Sequence, residues 1–366
     1  MSIIVRSARA DDYPAVRTLI ADAFKSDEQH LWDYLVANDP ALTPESVRLA
    51  LGPDGEPVAC TVVLPRTVMG PQGPVSGSIV TLVACRPDLQ GQGYGGATVR
   101  DAVRYLAERG DGFGLLLGHP DYYPRFGFVP VFPEVRTLLP AAPLGEGEAV
   151  GLRPATEVDL PLLASLYDHH LAACTGAVAR GPHPWLWRLR NPERHQLLVL
   201  SEGGPAYALF TENREHDLLF VFEAAADEPR AARRLLAGLA QEALRRGLKE
   251  VRLATPPDHL VSRVAVLLDA EQIIRPGRHT MVVVTNWAPL LPPGFTVEAE
   301  GLHHAGRPVL AAPQTALVRL AFGYRSVDDL LLAGEARPVG GEEALAEIRR
   351  AFPARPGKWS LAPFWM

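Results

Sequence analysis

The chain of 366 residues contains no apolar run that approaches the length of a membrane-spanning helix, which excludes a helical anchor. It has three cysteines, Cys60, Cys85 and Cys174. They are too few and too scattered for a disulfide framework or a zinc site, and free thiols suit a reducing compartment. Lysine is nearly absent: Lys25, Lys249 and Lys358 are three of 36 basic residues, set against 42 acidic ones. The scarcity reads as composition without a functional message. The formal charge of -6 does not suit a nucleic-acid binder. The opening stretch MSIIVRSARADDYP lacks the basic segment and hydrophobic segment of a secretory signal, so a cytoplasmic location is expected. What is present is ordinary core material, 47% hydrophobic and 21% charged residues, over a length that suits two or three domains.

Glycine is concentrated in one place. Gly91, Gly93, Gly95 and Gly96 fall within six positions of CRPDLQGQGYGGATVRDAVRYLAERG. Upstream, GSIVTLVAC reads as a β-branched strand; downstream, Val99, Val103 and Leu106 recur at helical spacing. The glycines therefore belong to a strand-to-helix turn. Such a turn aims unpaired backbone N–H groups and the positive end of a helix at one point, which suits an anionic phosphate.

The chain also repeats itself. VRSARADDYPAVRTL matches LRPATEVDLPLLASL at a constant offset of 147, with Arg6, Ala8, Asp12, Pro14 and Leu19 facing Arg153, Ala155, Asp159, Pro161 and Leu166. A second strand–turn–helix–strand run, from Asp217 onward, repeats the order of the glycine segment. Here the turn differs. Gln90, Gly93 and Gly95 are replaced by Asp227, Arg230 and Ala232, and Pro229 removes an N–H. The first copy is expected to bind the phosphate and the second to serve as scaffold.

Gln90-x-x-Gly93-x-Gly95 after its strand, together with GHPDYYPRFGFVPV (residues 118 to 131), resembles the acetyl-CoA signature and tyrosine motif of the GCN5-related N-acetyltransferase superfamily. Over the whole chain the likeness is to the enhanced intracellular survival family. It implies an α/β chain of two tandem acetyltransferase-type mixed-sheet modules, the second degenerate, plus a short C-terminal α+β region resembling a sterol-carrier fold. The corresponding boundaries are 1–148, 149–286 and 287–366, the last with a docked C-terminus. The tail after Asn286 is short, and the chain closes on Met366 where an aromatic is the family's usual end.

The resemblance implies acetyl transfer from acetyl-CoA to a primary amine, on a small molecule or a lysine side chain. Val83, Ala84 and Cys85 would offer backbone groups to the cosubstrate if their strand splays from FGLLL, and the cradle Gln90, Gly91, Gln92, Gly93, Tyr94, Gly95 and Gly96 would hold its diphosphate. Tyr123, neutral at pH 7, would protonate the departing thiolate, and the Met366 carboxylate would take the amine's proton. Asp27 and Glu28 would draw a cationic acceptor. Plainer readings stand beside these: Tyr122 and Tyr123 as packing aromatics, Arg125 as a loop brace or an acid's partner, Asp27 and Glu28 as an acidic helix start. Cys85 is read as an inert small hydrophobe. No metal is expected, since His169–His170 and His303–His304 lack a zinc spacing. A CoA-binding sensor without turnover and a hydrophobic-ligand carrier remain as alternatives. Neither nucleic acid nor membrane is among the expected partners, and self-association into a homo-oligomer is left open.

Overall fold

The structure is a computed structural model that describes residues 3–24, 28–142, 144–171, 174–190, 196–299 and 301–353. In the first repeat, β1 (Val5–Ser7) leads into α1 (Tyr13–Phe24) and α2 (Glu28–Asn38), then into the meander β2 (Val47–Leu51), β3 (Pro57–Gly70) and β4 (Gly73–Cys85). Helix α3 (Tyr94–Arg109), β5 (Phe113–Leu117) and β6 (Val129–Pro130) follow. The second repeat begins with β7 (Glu134–Pro140), β8 (Leu152–Pro154), α4 (Leu160–Leu171) and α5 (Pro182–Arg190). It continues through β9 (Gln196–Leu200), β10 (Ala206–Asn213), β11 (Leu218–Ala226), α6 (Pro229–Arg245) and β12 (Glu250–Leu253). Helix α7 (Leu260–Val266), β13 (Glu271–Arg275) and β14 (Thr280–Val284) close it. The remaining chain forms β15 (Phe295–Glu298), β16 (Gly301–His304), β17 (Arg307–Ala311), α8 (Gln314–Ala321), α9 (Val327–Leu332), β18 (Arg337–Pro338) and α10 (Gly341–Ala351).

The repeated residues have a common structural job. Arg6 grips Asp12 with two hydrogen bonds of 2.7 and 2.9 Å, and Arg153 grips Asp159 at 2.8 and 2.6 Å. Each aspartate also accepts the N–H three residues before it, from Arg9 and Thr156. The pair thus staples a short strand to the helix that follows, in both copies.

The chain builds two seven-stranded mixed sheets, and the first takes in one strand from the second repeat. The first sheet has the order β1-β2-β3-β4-β5-β14-β6, and the second β13-β7-β12-β11-β10-β9-β8. Strand β14, which follows the second sheet's last strand, inserts between β5 and β6: Val282 faces Leu115 on one side and Val129 on the other. Residues 1–131 accordingly form a compact unit with 278–321 and 327–351, and a second unit is built on residues 132–277.

Helix α3 buries Val99, Ala102 and Leu106 against Val63, Val80, Leu116, Phe128 and Met281 of the first sheet. Burying each large side chain is worth roughly 1.5–3 kcal/mol. In the second unit α6 does the same with Leu235, Leu236 and Leu239. The extra C-terminal strands form an antiparallel sheet in the order β15-β16-β17-β18. Its His304 stacks on Phe295 with ring centres 4.4 Å apart and places Nδ1 2.8 Å from Glu347. No helix among the described residues is long and apolar enough to cross a membrane.

Candidate active site

A one-residue irregularity in β4 opens the site. Cys60 faces Ala84 and Val62 faces Thr81, so three steps of β4 match two of β3. The extra residue is a β-bulge, and Leu82 there takes a left-handed φ of 45°, with its carbonyl 3.4 Å from the Cys60 thiol. A bulge bends its strand. Strand β4 pairs with the parallel β5 at Ser78–Gly114 and Ile79–Leu115, and beyond that point the two part. The expected splay is thus present, and Val83, Ala84 and Cys85 lie along it.

Beside the splay lies a cavity of about 700 Å³. Its floor is the turn into α3. Gly91 and Gly93 have φ of 80° and 94°, conformations that a side chain resists. Gly93 is the N-cap of α3, and no side chain caps the helix there. Gly95 and Gly96 are bare for a second reason. A Cβ on Gly95 would lie 3.2 Å from the Tyr122 hydroxyl, and one on Gly96 3.3 Å from Phe126. Gln90 folds its amide back towards the Cys85 carbonyl, at 3.4 Å. Every residue of the expected cosubstrate set borders the cavity except Gln92. Burial pushes the Cys85 thiol up, the Gly95 N–H opposing it in part, so this sulfur remains protonated.

Two tyrosines form the opposite wall, in a short helical turn after β5. Tyr123 is 8% exposed and belongs to the core cluster under α3. Tyr122 is half-buried and meets it edge-on at 5.0 Å. Burial raises both hydroxyls above their usual range, Tyr123 the more strongly, with Tyr122 as its second cause. Arg125 donates to the Tyr122 carbonyl at 2.9 Å and lays its guanidinium over the Tyr122 ring at 4.1 Å. It braces the loop. Arg100, one helical turn after Gly96, reaches the same rim over Phe126. The described lining residues include these two arginines and no carboxylate, which favours an anionic ligand.

The profile of the acetyltransferase (GNAT) domain matches residues 4–131, the part of the chain that carries this cavity. Residues 4–131 are a GNAT domain. A 52-residue stretch, 14% of the chain, is 40% identical to the uncharacterised N-acetyltransferase YjhQ of Escherichia coli K12 and spans 29% of that relative's length. The fold of the whole chain is similar to two solved structures. One is a GCN5-related N-acetyltransferase from Anabaena variabilis, with a TM-score of 0.77, 15% identity and coverage of 97% of this chain and 98% of that one. The other is Eis1 from Mycobacterium abscessus, with a TM-score of 0.67, 18% identity and 98% coverage of both.

A GNAT domain takes its acetyl group from acetyl-CoA, and the cavity fits that cosubstrate. The bare, uncapped start of α3 with Arg100 and Arg125 near it suits the phosphates, and the freed edge of β4 suits the amide-bearing arm.

The second unit carries a similar bulge, with a buried ion pair beside it. Leu209 faces Glu223 and Phe210 faces Val221, so β11 carries a bulge like that of β4, and it pairs with β12 only as far as Val221. Glu223, beside this bulge, is buried and accepts two hydrogen bonds of 2.8 Å from Arg180 and one of 2.8 Å from Tyr207. Burial alone would raise its pKa, but the charges of Arg180 and Arg188 and these hydrogen bonds hold it below the usual carboxylate range. At the strand exit His170 contacts the Ala226 carbonyl at 3.2 Å.

Of the other expected residues, Glu28 opens α2 and does not border the cavity, while Asp27 and Met366 lie outside the described residues. Sequence reasoning missed Arg100, His119 and Phe126 as cavity residues. Only Arg100 carried a usable signal, its spacing of four from Gly96 on one helical face.

Proposed function

We propose that the protein transfers the acetyl group of acetyl-CoA directly to a primary amine, on a small molecule or a lysine side chain, with Tyr123 as the acid. The observation that carries this reading is the Tyr123 phenol, nine-tenths buried yet bordering the cavity, with burial keeping its proton in place at neutral pH. Attack by a neutral amine forms the C–N bond and breaks the C–S bond. The departing thiolate takes the phenolic proton, and the proton that the nitrogen sheds on becoming an amide returns through solvent to the phenolate.

The amine must first lose a proton. His119 borders the cavity, and its ring carries a nitrogen that can accept a proton. The Met366 carboxylate is the group that the family resemblance offers for the same task.

The test is release of free thiol from acetyl-CoA by the purified protein across polyamines, aminoglycosides and lysine peptides. Tyr123→Phe should lower turnover by about 10²-fold or more with little change in acetyl-CoA affinity. Binding of acetyl-CoA without thiol release for any amine would instead favour a CoA-binding sensor.

A further inference from the structure

Gly118 follows β5 directly and has no left-handed backbone angle that would call for glycine. Space calls for it instead. A Cβ at this position would lie 2.2 Å from Cε2 and 2.8 Å from Cδ2 of Tyr123. The ring cannot give way easily, because it is packed edge-on to Phe128 at 5.9 Å and to Tyr122 at 5.0 Å.

The glycine cannot back away either. Its N–H donates to the His279 carbonyl at 2.9 Å, and its own carbonyl faces His279 Nδ1 at 3.2 Å. His279 immediately precedes β14. The same strand holds the far end of the tyrosine loop, where Val131 N–H donates to the Thr280 carbonyl at 3.0 Å. The loop from 118 to 131 is therefore tied at both ends to one strand, with the phenol laid over the bare backbone between β5 and the turn.

We infer that Gly118 is a positioning residue for Tyr123: its missing side chain sets where the phenol hydroxyl stands in the cavity. The inference rests on the assignment of Tyr123 as the acid. It is tested by a double-mutant cycle in which Gly118→Ala is measured in the wild-type, Tyr123→Phe and Tyr123→Ala backgrounds, reading kcat, the KM for acetyl-CoA and Tm. In the wild-type background Gly118→Ala should lower kcat by about 10²-fold with the KM changed by less than about threefold. In Tyr123→Phe, which has already lost the acid, the further loss in kcat should stay below about twofold. In Tyr123→Ala, where the ring no longer opposes the new methyl, the loss of Tm caused by Gly118→Ala should disappear. Should Gly118→Ala fail to fold by itself, recovery of folding in the Tyr123→Ala background reports the same coupling. An equal kcat loss in the wild-type and Tyr123→Phe backgrounds, or a Tm loss that persists in Tyr123→Ala, overturns the inference alone. Full turnover by Tyr123→Phe overturns the acid assignment and the inference with it.

Discussion

The guanidinium of Arg180 and the carboxylate of Glu223 meet through two hydrogen bonds of 2.8 Å, with both side chains only 6% exposed. Removing one partner of such a pair strands the other charge away from water. Glu223→Gln should therefore destabilise the protein by about 3–5 kcal/mol, measured by urea denaturation. Acetyl-CoA binding under native conditions should be unchanged, since Glu223 is remote in sequence from every cavity residue and belongs to the other unit. A destabilisation below about 1 kcal/mol would show that the pair does not anchor its unit.

One acetyl-CoA should bind per chain. Gly93→Asp places a side chain on a backbone with φ of 94° and a negative charge at the start of α3, and should abolish binding. Arg230→Glu, at the corresponding turn of the second repeat, should leave affinity unaltered. Calorimetry decides the matter, and two equivalents bound per chain would count against a single site.

Stability should fall as the pH is lowered through the histidine range. His259 caps α7 by accepting the Val261 N–H at 3.2 Å on Nδ1, which requires an unprotonated nitrogen. Burial, and then the neighbouring His170 ring, push its pKa down to about 3 from the usual 6.5. The unfolded chain thus binds the proton first, so the contribution of this residue is complete above pH 6.5 and declines towards pH 3. His259→Asn keeps a capping acceptor without a titrating ring. Urea titrations at intervals between pH 7 and 4 should show a shallower decline for this variant, and parallel curves would contradict the assignment.

The base can be located by two changes with different targets. His119→Gln should lower kcat/KM by at least about tenfold if the imidazole takes the amine's proton. Residues appended after Met366 convert its carboxylate to an amide and should matter only if that carboxylate is the base. Turnover retained by one variant and lost by the other names the group.

Much of this protein was legible in its sequence because local chemistry leaves local traces. The Arg6/Asp12 and Arg153/Asp159 staples appear as a repeat, since each ion pair spans only six residues. The strand-to-helix turn appears as Gly91, Gly93, Gly95 and Gly96, since left-handed angles and bare helix starts select glycine at defined positions. Tyr123 is marked by its spacing from Gly127. What depends on residues far apart in the chain left no such trace. The spacing of Gly118 from Tyr123 does not reveal that a ring lies across it. The insertion of β14 beside β5 joins residues more than 160 apart, and periodicity within a strand is blind to which sheet it will enter. The burial of Glu223 against Arg180 likewise follows from a bulge that aims a charged side chain inward. Sequence alone therefore determined the paired staples and the glycine turn into α3, whose causes lie within a few residues. Tertiary packing decided which strand braces the tyrosine loop and which charged side chains are buried beside the second bulge, because both depend on side-chain volume and charge brought together only by folding.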